Sequence, residues 1–208
     1  ANDPIETILF TDGTKRVLQT KKDAAVSAGN GAAAQNAMIV SGRVAMDALG
    51  RAIAQYYPTA HSKGGNDLVY LTTQIDQNNK IDPTRTTYDV LDRAKSTTLP
   101  DGTTTTMVYD FGQDEFTKPS FLTTVTDTLG NTKLSHRNVR ELITTVTEYN
   151  RSFNQAGVAV SSGKAPITTK YVYDPLKQIT QVIDHHQNLT KVEYDQLGRR
   201  TVIDNPDT

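Results

Sequence analysis

The chain of 208 residues contains no cysteine and no tryptophan. The first absence excludes disulfides, thiol nucleophiles and cysteine-bound zinc. The second leaves tyrosine, phenylalanine and aliphatic residues to build any core. Long apolar runs are also missing, and none approaches the roughly 20 residues of a membrane-spanning helix. Neither charge sign dominates, with 22 basic against 23 acidic residues. Without a basic stripe, nucleic acid is a poor candidate partner. No basic n-region followed by an apolar stretch opens the chain, so no signal peptide is visible. Leu, Ile, Val and Phe together make only about 22% of the residues, too few for a thick core.

In their place stand 31 threonines and nine tyrosines. Both types suit a half-exposed pleated surface better than a helix. The expected class is therefore all-β, built of repeated antiparallel hairpins in a curved, twisted sheet with one wet face.

A short phrase repeats through that background: MDALGR from Met46, YDVLDR from Tyr88, TDTLGN from Thr126, YDPLKQ from Tyr173 and YDQLGR from Tyr194. Repetition favours surfaces and walls over a single catalytic pocket. Tyr88 to Tyr109 is 21 residues, as is Tyr173 to Tyr194. Pro58, Pro100 and Pro206 each follow a repeat Asp by 11 residues. The unit is thus a hairpin of 21 residues.

Turn chemistry explains the phrase. Asp47, Asp89, Asp127, Asp174 and Asp195 would accept a backbone N–H two residues on and fix an Asx-turn. Gly50, Gly130 and Gly198 would take positive φ at the turn's end. Asp92 tolerates that conformation, whereas Lys177 predicts a turn of different type. Leu49, Leu91, Leu129, Leu176 and Leu197 would each bury against one face, worth roughly 1.5–3 kcal/mol. Tyr88, Tyr173 and Tyr194 would cover the neighbouring hairpin with the hydroxyl in water. Tyr109 and Asp110 are read as a further repeat position, and HRNVREL as a degenerate copy with Arg137 in the Asp place. The arginines after the turn would pair with a repeat Asp or stack on a Tyr.

Before the repeats, IETILF and KRVLQT flank Asp12-Gly13 as a hairpin. Residues 23–37, rich in Ala and Gly, read as a mobile loop. Two regions follow: 1–37, a hairpin and loop, and 38–208, the repeat strip. Within the strip, 59–67 and 111–120 are expected as loops, LVYLTTQID as a strand and 151–166 as an inserted loop.

The phrases YDQLGRRTVIDNPD from Tyr194 and YDVLDRAKSTTLPDGTTTTMVYD from Tyr88 resemble the YD repeat of the RHS (rearrangement hotspot) family. The resemblance runs from about residue 40 to 208. That family includes bacterial polymorphic toxins, the B and C components of insecticidal toxin complexes and teneurin-like surface proteins. LPDGTTT and NPDT look most like the toxin-complex B type. The resemblance implies a β-hairpin strip that spirals into a hollow shell around a toxic effector, hence a secreted or cell-surface bacterial protein. Its partners would be the rest of the parent protein and an enclosed effector polypeptide, with self-association through sheet edges. Asp174-Pro175 alone resembles the family's autoproteolytic DPxGxxGG pattern, so no protease activity is carried over. The final NPDT lacks the strand that follows the earlier PDGT, which predicts a fragment of a larger protein.

Competing chemistry finds little footing. His185 and His186 are adjacent, and adjacent strand residues face opposite ways, so a metal site is not expected. Residues 76–82 lack the Gly and terminal Glu of an EF-hand. Asn150 and Asn188 open glycosylation triplets, which are common by chance. The regular spacing of the repeat aspartates favours turn capping over the paired acids of a glycosidase. No GxSxG, HExxH or phosphate-cradling loop occurs. The expectation is a non-enzymatic structural segment without cofactor. A carbohydrate- or receptor-binding module is the alternative, and a hydrolase comes third.

Overall fold

A computed structural model describes residues 5–27, 29–65, 67–71, 81–150, 152–153, 159–160 and 166–206. All regular structure in them is β, and none of them lies in a helix. The chain divides into two compact units, Ala1–Thr104 and Thr105–Thr208.

The first unit holds β1 (Thr7–Thr11), β2 (Val17–Val26), β3 (Gln35–Ser41), β4 (Val44–Met46), β5 (Ala52–Gln55), β6 (Thr59–Ser62), β7 (Thr84–Tyr88) and β8 (Ala94–Thr98). Its strands leave chain order. β6 joins the far side of β3 in the order β1-β2-β3-β6, while β5 pairs with β7 in the order β4-β5-β7-β8. Among the described residues, Ala37, Met38 and Val40 on β3 and Ala54 on β5 are its buried apolar side chains. Gln19 and Lys21 on β2 are buried too. The Gln19 amide solves its burial by imitating a backbone pair: Nε2 donates to the Leu71 carbonyl at 3.2 Å, and Oε1 accepts the Leu71 N–H at 3.0 Å. Lys21 carries its ammonium 5.6 Å from the centre of the Phe10 ring, which itself meets Tyr70 edge-on at 5.7 Å.

In the second unit β9 (Thr104–Gln113), β10 (Pro119–Thr126), β11 (Thr132–Arg137), β12 (Ile143–Tyr149), β15 (Ile167–Tyr173), β16 (Ile179–Ile183), β17 (Leu189–Tyr194) and β18 (Arg200–Asp204) pair antiparallel in chain order. A small separate pair, β13 (Ser152–Phe153) and β14 (Ala159–Val160), stands between β12 and β15. Threonine explains much of the pairing. Thr147 and Thr168 are direct cross-strand partners with hydroxyls 3.2 Å apart, and Thr126 and Thr132 repeat the arrangement at 3.4 Å. Such pairs stabilise a sheet by roughly 0.2–1 kcal/mol each. Among the described residues of this unit the buried side chains are all polar: Asp114, Ser120, Thr144, Thr145 and Thr147. The thin sheet expected from the composition is observed.

Several local expectations are corrected. The stretch 23–37 is strand at both ends, because β2 runs to Val26 and β3 begins at Gln35, and the expected loop shrinks to the residues between them. Alanines there gain pairing partners that their weak β preference does not advertise, as in Ala24↔Ala37. The expected loop at 59–67 begins with β6, and the one at 111–120 shrinks to 114–118 between β9 and β10. Residues 68–71 of LVYLTTQID lie outside any strand. Its remainder, most of the 76–82 loop and most of 151–166 lie outside the described residues.

Candidate functional site

The feature that recurs through both units is a turn. At Asp12, Asp47, Asp89, Leu99, Asp114, Asp127, Asn138, Asp174, Asp184 and Asp195 the first residue donates its N–H to the carbonyl of the fifth, and its own carbonyl accepts the N–H of the fourth. That fourth residue has φ between 58° and 83° in every case. This is the three-residue hairpin loop that ends in a left-handed bulge position. Only Gly50, Gly102, Gly130 and Gly198 fill it with glycine; Lys15, Asp92, Thr117, Glu141, Lys177 and Gln187 hold the same conformation. Lys177 therefore does not change the turn type. The expectation that it would is wrong because the first residue, not the fourth, carries most of the bonding.

In nine of the ten turns that bonding is a side-chain clamp; the Leu99 side chain has no acceptor, and there Asp101 Oδ1 takes the Thr103 N–H at 2.9 Å. Asp47 Oδ1 accepts the N–H groups of Leu49 at 2.9 Å and Arg51 at 3.0 Å, while Oδ2 takes Arg51 Nε at 2.7 Å. Asp89 with Arg93, Asp195 with Arg199 and Asp12 with Arg16 repeat it, each with the Nε contact at 2.7 Å. Asparagine replaces the arginine at Asn131 on Asp127 and Asn188 on Asp184. The bonds hold the carboxylates ionised. The Arg51 N–H lowers Asp47 and the Arg199 N–H lowers Asp195, while the Asn131 amide leads at Asp127. At Asp89 and Asp184 partial desolvation opposes the shift, and bonds from Arg93 and Asn188 outweigh it.

The repeat leucines do something other than expected. Leu49 is 72% exposed and Leu197 77%, and Leu91, Leu129 and Leu176 are exposed as well. They sit at the tip of the turn, where a sheet of this thinness offers nothing to bury against. Two positions are also reassigned. Tyr109 and Asp110 lie within β9, four residues short of the turn at Asp114. In HRNVREL the Asp place belongs to Asn138, whose Oδ1 accepts the N–H groups of Arg140 and Leu142, and not to Arg137. An Asn in an Asx-turn is chemically equivalent, and that signal was readable. Asp12 was likewise a member of the series rather than half of a two-residue turn.

The tyrosines before the turns make a second device. Tyr88 donates its hydroxyl to the Ala52 carbonyl at 3.0 Å, Tyr173 to Ile143 at 2.8 Å and Tyr194 to Ile179 at 3.0 Å. Ala52, Ile143 and Ile179 occupy one equivalent place, the first strand residue after the preceding turn on that edge. The hydroxyls are thus staples to the neighbouring hairpin and do not simply remain in water. Arginines add a third link. Arg51 Nη1 reaches the Asp89 carbonyl at 3.0 Å and Asp92 Oδ1 at 2.8 Å, with the Tyr88 ring 5.1 Å from the guanidinium. Arg140 Nη2 reaches the carbonyls of Asp174 at 3.0 Å and Pro175 at 2.9 Å.

One polar cluster tests the enzymatic alternative. Ser120 Oγ lies 2.9 Å from His136 Nδ1, but Ser120 is buried. The nearby Asp114 directs Oδ2 to Thr144 Oγ1 at 2.7 Å and Oδ1 to the N–H groups of Phe116 and Lys118. It does not bond the imidazole, so the link that orients a catalytic base is missing. The cluster ties the Asp114 turn to β12. The rings of His185 and His186 lie with centres 5.2 Å apart, tilted by 59°, and no group of three His, Asp or Glu side chains converges among the described residues.

No protein-family model and no curated protein matches the sequence. Solved structures do match. The crystal structure of TcdB2-TccC3-TEV superimposes with a TM-score of 0.67 at 18% identity, over 99% of this chain and 11% of that one. TcdB2-TccC3-Cdc42 gives 0.67 at 17% identity, over 98% and 10%. A Photorhabdus luminescens Tc holotoxin pore with a mutated TccC3 gives 0.58 at 16%, over 98% and 12%. The chain thus spans about a tenth of the length of the solved chains it matches. Its fold is that of these Tc toxin chains, the likeness that its repeated turn phrases had implied.

Proposed function

We propose that this chain is a non-enzymatic segment of the β-hairpin wall of a larger secreted bacterial toxin protein, and that the wall encloses or shields a partner polypeptide. The observation that supports this is the match of nearly the whole chain to about a tenth of a Tc toxin chain. The turn clamp agrees with it, since it spends the repeated aspartates on backbone N–H groups and leaves none arranged as a catalytic pair. The rest of the parent protein and the enclosed polypeptide are the partners, and the exposed sheet edges also favour self-association.

The test uses the full-length protein. Its enclosed polypeptide is expected to resist protease in the native state and to be cut once the Asp195→Ala exchange loosens the hairpins. Equal digestion in both states would sink the reading. So would a catalytic turnover abolished by one substitution in this segment with the fold intact.

A binding role is the second reading, and one observation favours it. Phe111 and Phe121 are cross-strand partners with ring centres 5.1 Å apart, and Phe111 is 75% exposed. An open aromatic pair is a stacking platform for a sugar or an apolar side chain. A glycan array without hits would remove the sugar version.

A further inference from the structure

The chain holds one Asn-Gly pair, Asn30-Gly31, and two Asp-Gly pairs, Asp12-Gly13 and Asp101-Gly102. These pairs share one chemistry. The glycine main-chain nitrogen closes on the side-chain carbonyl carbon before it, because no Cβ hinders the approach. The surroundings decide which pair reacts, and the three differ. Asp12 Oδ1 accepts the Thr14 hydroxyl at 2.7 Å, and Oδ2 takes Arg16 Nε at 2.7 Å. Asp101 Oδ1 accepts the Thr103 hydroxyl at 2.6 Å and the Thr103 N–H at 2.9 Å. The Thr14 and Thr103 hydroxyls lead in holding these carboxyls below the usual carboxylate range, so both stay ionised. An ionised carboxylate is a poor electrophile. At Asp101 the nucleophile is tied as well, since the Gly102 N–H donates to the Leu99 carbonyl at 2.9 Å.

Asn30-Gly31 lacks these restraints. A neutral amide stands in place of the carboxylate. Asn30 and Gly31 have φ of 52° and 76°, and Ala32 donates its N–H to the Gly29 carbonyl at 3.0 Å, the two-residue turn that Asn-Gly favours. That closing bond uses Ala32 and leaves the Gly31 N–H uncommitted. Among the described residues no group bonds the Gly31 N–H or the Asn30 amide. Both residues are exposed, and nothing lies within 4 Å of a Cβ placed on Gly31. Ring closure requires Asn30 to swing out of its positive φ. Only the closing bond and the Ser27 hydroxyl, 2.9 Å from the Ala32 carbonyl, oppose that swing. Exposed turns with so few bonds open at little cost. Asn131, Asn138 and Asn188, by contrast, precede no glycine and are held in turn clamps.

We propose that Asn30-Gly31 is a site of spontaneous covalent modification in the folded protein. The Gly31 nitrogen bonds to Asn30 Cγ and gives up its proton. The bond from Cγ to the amide nitrogen breaks, and ammonia leaves with that proton. Water then opens the cyclic imide at one of its two carbonyls. Attack at Cγ yields aspartate. Attack at the main-chain carbon yields isoaspartate, in which the chain runs through the side-chain carbonyl. Either product places the first charge between Asp23 and Arg43. It stands beside an open cavity of about 230 Å³ that Ala32 and Ala33 line with Val26, Ala37 and His61. Isoaspartate lengthens the backbone by one methylene and so shifts that side of the cavity. This chemistry is confined to one turn of the first unit and is independent of any enclosed partner.

The test incubates the full chain at mildly alkaline pH, folded and in denaturant. Samples are followed by ion-exchange chromatography, peptide mass mapping and labelling with a protein isoaspartate methyltransferase. In the folded chain the expected result is a gain of one mass unit and of a methyl-accepting carboxyl at Asn30. Its rate should lie within a few-fold of the denatured chain's, and Asp12 and Asp101 should stay unlabelled. In denaturant the clamps are gone, and Asp12 and Asp101 should label as well. Asn30→Gln closes only to a larger, slower ring and should reduce the mass gain by an order of magnitude. A folded chain that keeps Asn30 intact while the denatured chain loses it would overturn the proposal, because the turn would then protect the site. So would isoaspartate at Asp101 in the folded chain as fast as at Asn30, or a mass gain untouched by Asn30→Gln.

Discussion

The two units bury different things. Residues 1–104 bury Met38, Val40, Ala37 and Ala54, and shelter cations with aromatic rings: Lys21 by Phe10, and Arg43 by Tyr56 at 4.0 Å. Residues 105–208 bury Asp114, Ser120, Thr144, Thr145 and Thr147. The first arrangement is a small core in the ordinary sense, stabilised by removing apolar surface from water. The second is a sheet fastened by hydroxyls and turns. The difference follows from topology. In the first unit β6 leaves the order of the chain to pair with the far edge of β3, which makes β3 an inner strand. In the second every strand of the main sheet lies beside its chain neighbour, so local bonds do most of the fastening.

Substitutions should separate the two modes, and the largest effect is expected in the first unit. Met38→Ala removes a fully buried side chain and should destabilise by about 3 kcal/mol. Denaturant titration would measure it, and hydrogen exchange should place the lost protection within residues 1–104. The matching experiment in the second unit is Asp114→Ala, which deletes three hydrogen bonds. A loss of about 2–3 kcal/mol is expected. Asp114→Asn should restore most of it, since Asn138 shows that an amide oxygen serves the same turn. If Asn rescues nothing, the charge rather than the clamp is what matters.

Acid should weaken both units together. The clamped aspartates titrate below their ordinary value in each, Asp47 in the first and Asp127 and Asp195 in the second. Below about pH 4 the unfolded chain takes up protons that the folded turns still refuse. The contribution is complete above that pH and is lost as the pH falls through the lowered folded values. Thermal melts from pH 7 down to pH 2 would show it as a falling midpoint, and Asp195→Asn should flatten the slope. A midpoint insensitive to acid would contradict the clamp.

Smaller effects probe the fourth turn position. Lys177→Gly should stabilise by about 1 kcal/mol, because a side chain at φ 69° is strained. Gly198→Ala should do the reverse, since a Cβ there also meets Gln178 Nε2 at 2.8 Å. Leu197→Ala should change stability by less than about 0.5 kcal/mol, as befits an exposed side chain. A loss of 2 kcal/mol or more would revive the burial reading that this structure rejects.

The all-β class, the hairpin repeat and the Asx-turns were legible because each rests on local chemistry. Thr, Tyr and Asp declare their preferences within a few residues. The leucines misled because their spacing says that they share a place, not whether that place is covered. Gln19 pairing with Leu71 could not be read, since it depends on segments 52 residues apart brought together by the fold. Tyr109 failed for a simpler reason: β9 runs on to Gln113, so the 21-residue period places a tyrosine inside a strand instead of before a turn.

The tyrosine staple has one more consequence. Its acceptor is always a main-chain carbonyl, on Ala52, Ile143 or Ile179, and so is blind to the side chain beside it. Hairpins that recognise one another through backbone are interchangeable parts. They can be duplicated, lost or exchanged by recombination without re-matching their neighbours. Such a coupling is compatible with a fold held in common with the Tc toxin chains at 16–18% identity.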